Sequence, residues 1–292
     1  MPFVLVLFLL TSSLPAQTPL QKEIRKIAGD ARGKVAVACS LPGSSLNCDL
    51  EAHSNPPMQS IFKLPLAVYA LHLVEQGKFS LDQAIRFLPS DRILPETYSP
   101  LQDNYPNGDV DVPLRELLRL AASLSDNAAA DTVLRVTGGP AEVGAYIQSL
   151  GVRGFHLEDG EHMLHRDASA QYRNWFAPAG AVQLLRRLSD NSPLMAEHTQ
   201  LLLGWMKDSP TGAHRMKAEL PAGTIVMHKT GTSGVQDGVA SATNDMGLIT
   251  LPDGRQLALA VFVTDSRADE KTREAVIARI AKAAYSAAIQ AH

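Results

Sequence analysis

The chain has 292 residues, 45% hydrophobic and 20% charged, with a formal net charge of −3 at neutral pH. That is an ordinary globular balance, enough for a substantial core in one or two domains. The slight acidity and the 5% aromatic content give neither the basic stripe nor the stacking surface of a nucleic-acid partner.

Residues 3–10, FVLVLFLL, form a short apolar core, and the following stretch ends in the small residue Ala16. This reads as a secretory signal peptide cleaved near Ala16, without the usual basic start, and it is too short to span a bilayer. No later segment is long and apolar enough for a membrane helix. A first helix is predicted over 18–32, ended by Gly33. Next, KVAVACSL-PGSS-LNCDLEA reads as a β-hairpin around a Pro-Gly turn. With a loop over 42–45, Cys39 lies across from Cys48, close enough for a bridge in an exported protein. Two free thiols fit the same sequence, and nothing gives either cysteine a catalytic setting.

Asn55-Pro56-Pro57 breaks the chain before a second helix that starts at Ser60 and is apolar on nearly every side, as a buried helix is. Pro65 bends its start. Helical patterns follow over 112–125, 127–137, 140–150, 177–190 and 197–208, separated by two loops without periodicity, about 88–111 and 152–175. Past Pro221 the pattern turns to strands: GTIVMHKTGT, SATNDMGLITL and QLALAVFVTD, the last two joined by Pro252-Asp253-Gly254. A helix with apolar positions 276, 277, 280, 281 and 284 closes the chain. Strands at both ends with helices between imply an α/β sheet domain, 17–57 with 208–292, and an all-helical domain, 58–207. The sheet is antiparallel and built from both termini.

Three short motifs recur on this frame. Ser60 and Lys63 share one helical face, with Ser60 in a first turn where N–H groups lack partners. Ser125-Asp126-Asn127 joins two helices, and Lys229-Thr230-Gly231, then Thr232-Ser233-Gly234, lies in a strand. Taken singly, these read as an N-cap with a surface lysine, as a turn, and as a strand whose small residue gives a ligand backbone room. In this order, on a helix, a turn and a strand, they form one set.

That set resembles the penicillin-recognising serine enzymes, and specifically the class A β-lactamases. The resemblance covers essentially the whole mature chain, including Tyr98-Ser99-Pro100, Gly138-Gly139-Pro140, Leu220-Pro221-Ala222-Gly223 and Asn244-Asp245. It implies an α/β plus all-α fold with the site at the domain boundary. By motif, Ser60 is the acylated nucleophile and Lys63 its partner. Ser125 relays a proton to the departing nitrogen. Asn127 holds the substrate side-chain amide, and Lys229 and Thr230 meet its carboxylate. The N–H groups of Ser60 and Thr232 form the oxyanion hole. The family's deacylating glutamate matches Glu161, followed by Leu164. His165 and Asp131 replace two asparagines, a pair of departures found in the PER-type branch, which Gln171-Tyr172 and Asn174-Trp175 also resemble. Glu158 is a nearby competitor without the leucine spacing.

His162 and His165 invite a metal reading, but a zinc helix wants H-E-x-x-H and this segment shows no helical pattern. One histidine is expected to bond Asp131 or the loop backbone instead, and no cofactor or metal is expected. Arg215 is the candidate extra anchor for the substrate carboxylate, against a plain surface arginine. Tyr98 is a candidate aromatic wall at the cleft mouth, against simple packing. The expected activity is β-lactam hydrolysis, extending to oxyimino-cephalosporins by branch resemblance, in a secreted or periplasmic monomer. A D-alanyl-D-alanine peptidase would share the three motifs without Glu161. A non-catalytic β-lactam sensor would carry a membrane helix and signalling segment.

Overall fold

The computed structural model describes residues 17–291, so the signal-peptide reading of residues 1–16 lies outside the described residues. Thr18 and Gln21 form a capping box for α1 (Pro19–Ala28), and β1 (Lys34–Ser40) follows. The second strand of the expected hairpin does not form. Only Val37 and Leu50 pair as a bridge. Leu46 N–H, a donor that a longer ladder would use, goes instead to Ser44 Oγ at 3.1 Å. The register is nevertheless the expected one, and Cys39 and Cys48 are joined by a disulfide with Cα atoms 5.5 Å apart.

A 3₁₀ turn, Gln59–Phe62, leads into α2 (Lys63–Glu75), of whose 13 residues ten are buried. Pro65 falls in the first turn of α2, where its missing N–H costs no helical bond. The first expected loop is organised instead. It holds α3 (Pro100–Asn104), and β2 (Ala84–Phe87) pairs antiparallel with β3 (Val110–Pro113). Strand β3 takes Val112 and Pro113 from the expected helix, so α4 spans only Leu114–Arg119 before a π turn, Leu120–Leu124. Then come α5 (Asn127–Val136) and α6 (Pro140–Ser149).

The second expected loop is closed at its base by β4 (Phe155–His156) pairing with β5 (Trp175–Phe176), and it carries α7 (Glu161–Arg166). That helix contradicts the sequence reading of the His162–His165 segment; six residues are too few to display a period. Helices α8 (Pro178–Asp190) and α9 (Ala196–Lys207) precede β6 (Val226–Thr232), β7 (Val235–Gln236), β8 (Val239–Thr250), β9 (Gln256–Ser266) and α10 (Glu270–Gln290).

The main sheet runs β1-β9-β8-β6, antiparallel throughout, with β7 on the end of β8. Alternation along β9 sorts its side chains to two apolar cores. Leu257, Leu259, Val261 and Val263 pack toward α1 and α10, whereas Ala258, Ala260 and Phe262 join the larger core of the remaining helices. Helix α8 lies directly on β1 and β9. Among the described residues, no helix is long and apolar enough to cross a membrane.

Candidate active site

Ser60 sits in the 3₁₀ turn just before α2, behind Gln59, whose φ is +50°. A non-glycine residue in that region is uncommon and is held there by its surroundings. Gln59 Nε2 donates to Gln171 Oε1 at 3.1 Å, and Ser241 Oγ donates to the same oxygen. One turn on, Lys63 is fully buried, which rules out a surface lysine. Its ammonium has three acceptors: Glu161 Oε1 at 2.8 Å, Ser125 O at 2.8 Å and Asn127 Oδ1. An ammonium has three protons and no lone pair. In this arrangement Lys63 is a cation with every donor used.

The Ser60 hydroxyl donates to Glu161 Oε1 at 3.1 Å, so nucleophile and Lys63 converge on one oxygen. Burial by itself would raise the Glu161 pKa. The Lys63 cation and His165, whose Nε2 is 3.5 Å from Glu161 Oε2, outweigh burial and hold the carboxyl below its ordinary range. Glu158, the competitor, points outward with a half-exposed side chain 3.5 Å from Arg173.

Asp131 accepts backbone N–H groups from Glu161 at 2.7 Å and His162 at 2.8 Å. The expected histidine partner of Asp131 is therefore a pair of backbone amides instead. Gly160 makes room for this anchor, since a Cβ there would come 2.5 Å from Asp131 Oδ1. Burial and the neighbouring Glu161 raise the Asp131 pKa to about 6 against the pull of those two bonds. Asn174 ties the loop base, accepting from Glu158 N–H and Asp159 N–H and donating to Asp159 O at 2.8 Å. Among the described residues, no group of three His, Cys, Asp or Glu side chains is arranged to hold a metal.

Ser125 follows the π turn with φ +62°. Its hydroxyl accepts from Lys229 Nζ at 2.8 Å, and Lys229 also donates to Thr230 O at 2.9 Å. Burial, then the nearby Lys63 charge, push the Lys229 ammonium well below its ordinary pKa. Asp126, the middle residue of the motif, caps α5 and accepts from Ser99 Oγ at 2.7 Å and Leu101 N–H at 2.6 Å.

Strand β6 runs against the Ser60 turn. A Cβ at Gly231 would come 2.4 Å from Met58 O. The small residue thus serves the packing of strand on turn. Thr230 and Thr232 are each engaged through Oγ1, with Thr211 Oγ1 at 2.8 Å and Arg215 Nη2 at 2.8 Å. Ser233 Oγ bonds across to Ala242 of β8. Arg215 is 4% exposed and meets Glu274, Gly231 O, Asn244 O and Thr232 Oγ1. It is neither a surface arginine nor a free anchor; it braces β6 and reaches the site through Thr232. Tyr98 is 56% exposed beside Ser99.

The structure thus gathers Ser60, Lys63, Ser125, Asn127, Glu161 and Lys229 through direct bonds. Sequence reading gave no role to Gln59 or Ser241, and placed Asp126 only within a turn. The backbone tension at Gln59 leaves no local signal, whereas Asp126 is recognisable as a cap.

The family model for the beta-lactamase enzyme family matches residues 19–288. The extended-spectrum β-lactamase PER-1 of Pseudomonas aeruginosa is 41% identical over 271 residues, covering 92% of this chain and 88% of that one. Among solved structures, a β-lactamase from Chitinophaga pinensis superimposes with a TM-score of 0.89 at 39% identity, over 93% of this chain and 100% of that one. A representative class A β-lactamase from Bacteroides cellulosilyticus matches with a TM-score of 0.84 at 30% identity, over 91% and 96%.

Proposed function

This chain belongs to the beta-lactamase enzyme family, as a class A serine β-lactamase, and from that premise we propose how its residues open and hydrolyse a β-lactam. Ser60 Oγ attacks the ring carbonyl while its proton passes to Glu161 Oε1, the oxygen it already bonds. Lys63, with all three donors engaged, acts as the cation that steadies Glu161 and Asn127. As the C–N bond breaks, the Ser125 hydroxyl protonates the leaving nitrogen. Ser125 Oγ is refilled from Lys229, whose lowered pKa makes it a ready donor. Developing negative charge on the carbonyl oxygen is met by the N–H groups of Ser60 and Thr232, a role supported by the close packing of β6 on the Ser60 turn.

After acylation Ser60 Oγ is an ester oxygen with no proton. Once the proton on Glu161 has returned to Lys229, the freed carboxylate takes a proton from water as that water attacks the ester, and Glu161 then gives this proton to Ser60 Oγ as the acyl C–O bond breaks and the opened product leaves. Asn127 Nδ2 faces the substrate side-chain amide, and Lys229 with Thr230 receives the ring carboxylate. Tyr98 stands at the cleft mouth, and Arg215 supports Thr232 from behind. The observation that carries this reading is the convergence of Ser60 and Lys63 on Glu161 Oε1; a peptidase lacks a base there.

PER-1 is described as extended-spectrum, and the same breadth, oxyimino-cephalosporins included, is proposed here. The protein acts as a monomer after export, without a nucleic-acid partner. The Cys39–Cys48 disulfide suits the oxidising compartment that residues 3–10 point to. Turnover of a chromogenic cephalosporin by the purified mature chain tests the activity. Ser60→Ala is expected to abolish turnover and penicillin labelling seen by intact mass; a labelled variant would remove Ser60 as nucleophile.

A further inference from the structure

Thr230 is one end of a chain of three hydroxyls whose other end is a carbonyl. Ser209 Oγ is 2.9 Å from Ser123 O, Ser209 Oγ is 2.9 Å from Thr211 Oγ1, and Thr211 Oγ1 is 2.8 Å from Thr230 Oγ1. Ser123, Ser209 and Thr230 are buried. Each hydroxyl owns one proton, and a carbonyl owns none. The Ser209 proton is therefore committed to Ser123 O. The Ser209–Thr211 bond must then use the proton of Thr211, and the Thr211–Thr230 bond must use that of Thr230. The carbonyl fixes the polarity of the whole chain, and every proton in it points away from the cleft.

A substrate carboxylate accepts hydrogen bonds and donates none. Thr230 can donate to it only by withdrawing its proton from Thr211. Thr211 can then turn its proton to Thr230, which leaves the Ser209–Thr211 contact without one. If Ser209 turns as well, Ser123 O loses its donor. In either case one bond of the buried chain is lost when substrate binds.

We propose that Ser209 and Thr211 are positioning residues that hold the Thr230 proton turned away from the substrate carboxylate, so that they limit affinity for the β-lactam. The proposal rests on the reading of Thr230 as a carboxylate contact given above. Its signature is a gain: removing a hydroxyl from the chain should tighten binding, whereas simple damage to the site would weaken it.

The test is the dissociation constant of benzylpenicillin by calorimetry in the Ser60→Ala background, where no acyl-enzyme forms. Thr211→Val and Ser209→Ala should each lower it by roughly 2- to 10-fold, the factor set by one net hydrogen bond. Thr211→Ser, which keeps the hydroxyl, should return the parental value. The double variant should bind no more tightly than Thr211→Val, because the chain acts as a unit. Thr230→Val separates the two ideas. Unchanged binding in Thr230→Val removes Thr230 from the carboxylate site and overturns the underlying assignment. If Thr230→Val weakens binding while Thr211→Val and Ser209→Ala weaken it or leave it unchanged, the chain-polarity proposal fails and the assignment stands. Tighter binding in Thr211→Ser equal to that in Thr211→Val also overturns the proposal.

Discussion

Glu161→Gln isolates the charge of one carboxylate while keeping its shape. The amide oxygen can still accept from Ser60 and Lys63 at 3.1 and 2.8 Å, so the local geometry survives. Two things are lost. The first is the proton acceptor: an amide cannot take a proton from water, and a general base contributes about 10²–10⁴-fold. Acylation and deacylation each pass a proton to this carboxylate, so both should slow by that factor, giving very slow turnover of a chromogenic cephalosporin without a burst and a slow build-up of the adduct on Ser60 by intact mass. The second is the counter-charge of Lys63, whose side chain is 0% exposed against 3% for Glu161. Breaking a buried pair costs about 3–5 kcal/mol. The lower figure applies here, because Ser125 O and Asn127 Oδ1 still receive Lys63. At roughly 2–4 °C per kcal/mol for a chain of this size, Tm should fall by roughly 6–12 °C. Turnover like the parent's would refute the reasoning and make Glu158→Gln the next variant. If the parent itself traps the adduct, the peptidase or sensor reading stands instead.

Arg215→Ala strands the Glu274 carboxylate and removes the fork that joins Gly231 O, Asn244 O and Thr232 Oγ1. A stability loss of about 3–5 kcal/mol with reduced kcat/KM is expected, and Arg215→Lys should restore little because an ammonium lacks the planar fork; an unchanged Tm in Arg215→Ala would contradict this. The folded Asp131 pKa, raised from 3.8 to about 6, means that the unfolded chain ionises first as pH rises. That contribution is harmless below pH 4 and destabilises progressively up to pH 6, by up to about 3 kcal/mol. Urea titrations of the parent and Asp131→Asn should converge or cross over that window, and parallel pH curves would discount it. Replacing Cys39 and Cys48 by serine opens a short loop, whose closure is worth about 2–3 kcal/mol; Tm should drop while kcat/KM stays, and a matching loss of activity would show that the hairpin region supports the site.

Legibility in the sequence followed the locality of the cause. The apolar circumference of α2, the strand run of β9 and the Pro252-Asp253-Gly254 turn are carried by neighbouring residues, and all three appear as read. Asp126 and Asn127 also declare their place locally, as a cap and the first residue of a helix. What escaped depends on partners far along the chain. Strands β2 and β3 are four residues each and exist only through each other. Arg215 looks like any arginine until Glu274 and two strand carbonyls close around it. Asp131 in place of asparagine signals a different loop, but its acceptance of two backbone amides at Glu161 and His162 needs the loop laid against α5.

The sheet order places β1 beside β9, pairing Lys34 with Thr264 and Ser40 with Ala258. The first strand made therefore waits more than two hundred residues for its ladder, a long-range closure that slows folding. Ser60, Lys63, Ser125 and Glu161 all leave the ribosome before Lys229 and the β6 edge. A growing or threading chain thus carries its nucleophile long before it can finish the site around it, and the enzyme is silent until its last strands arrive. A chain stopped before Gln256 should leave β1 open to protease; protection of β1 in such a fragment would show that the N-terminal strand finds another partner.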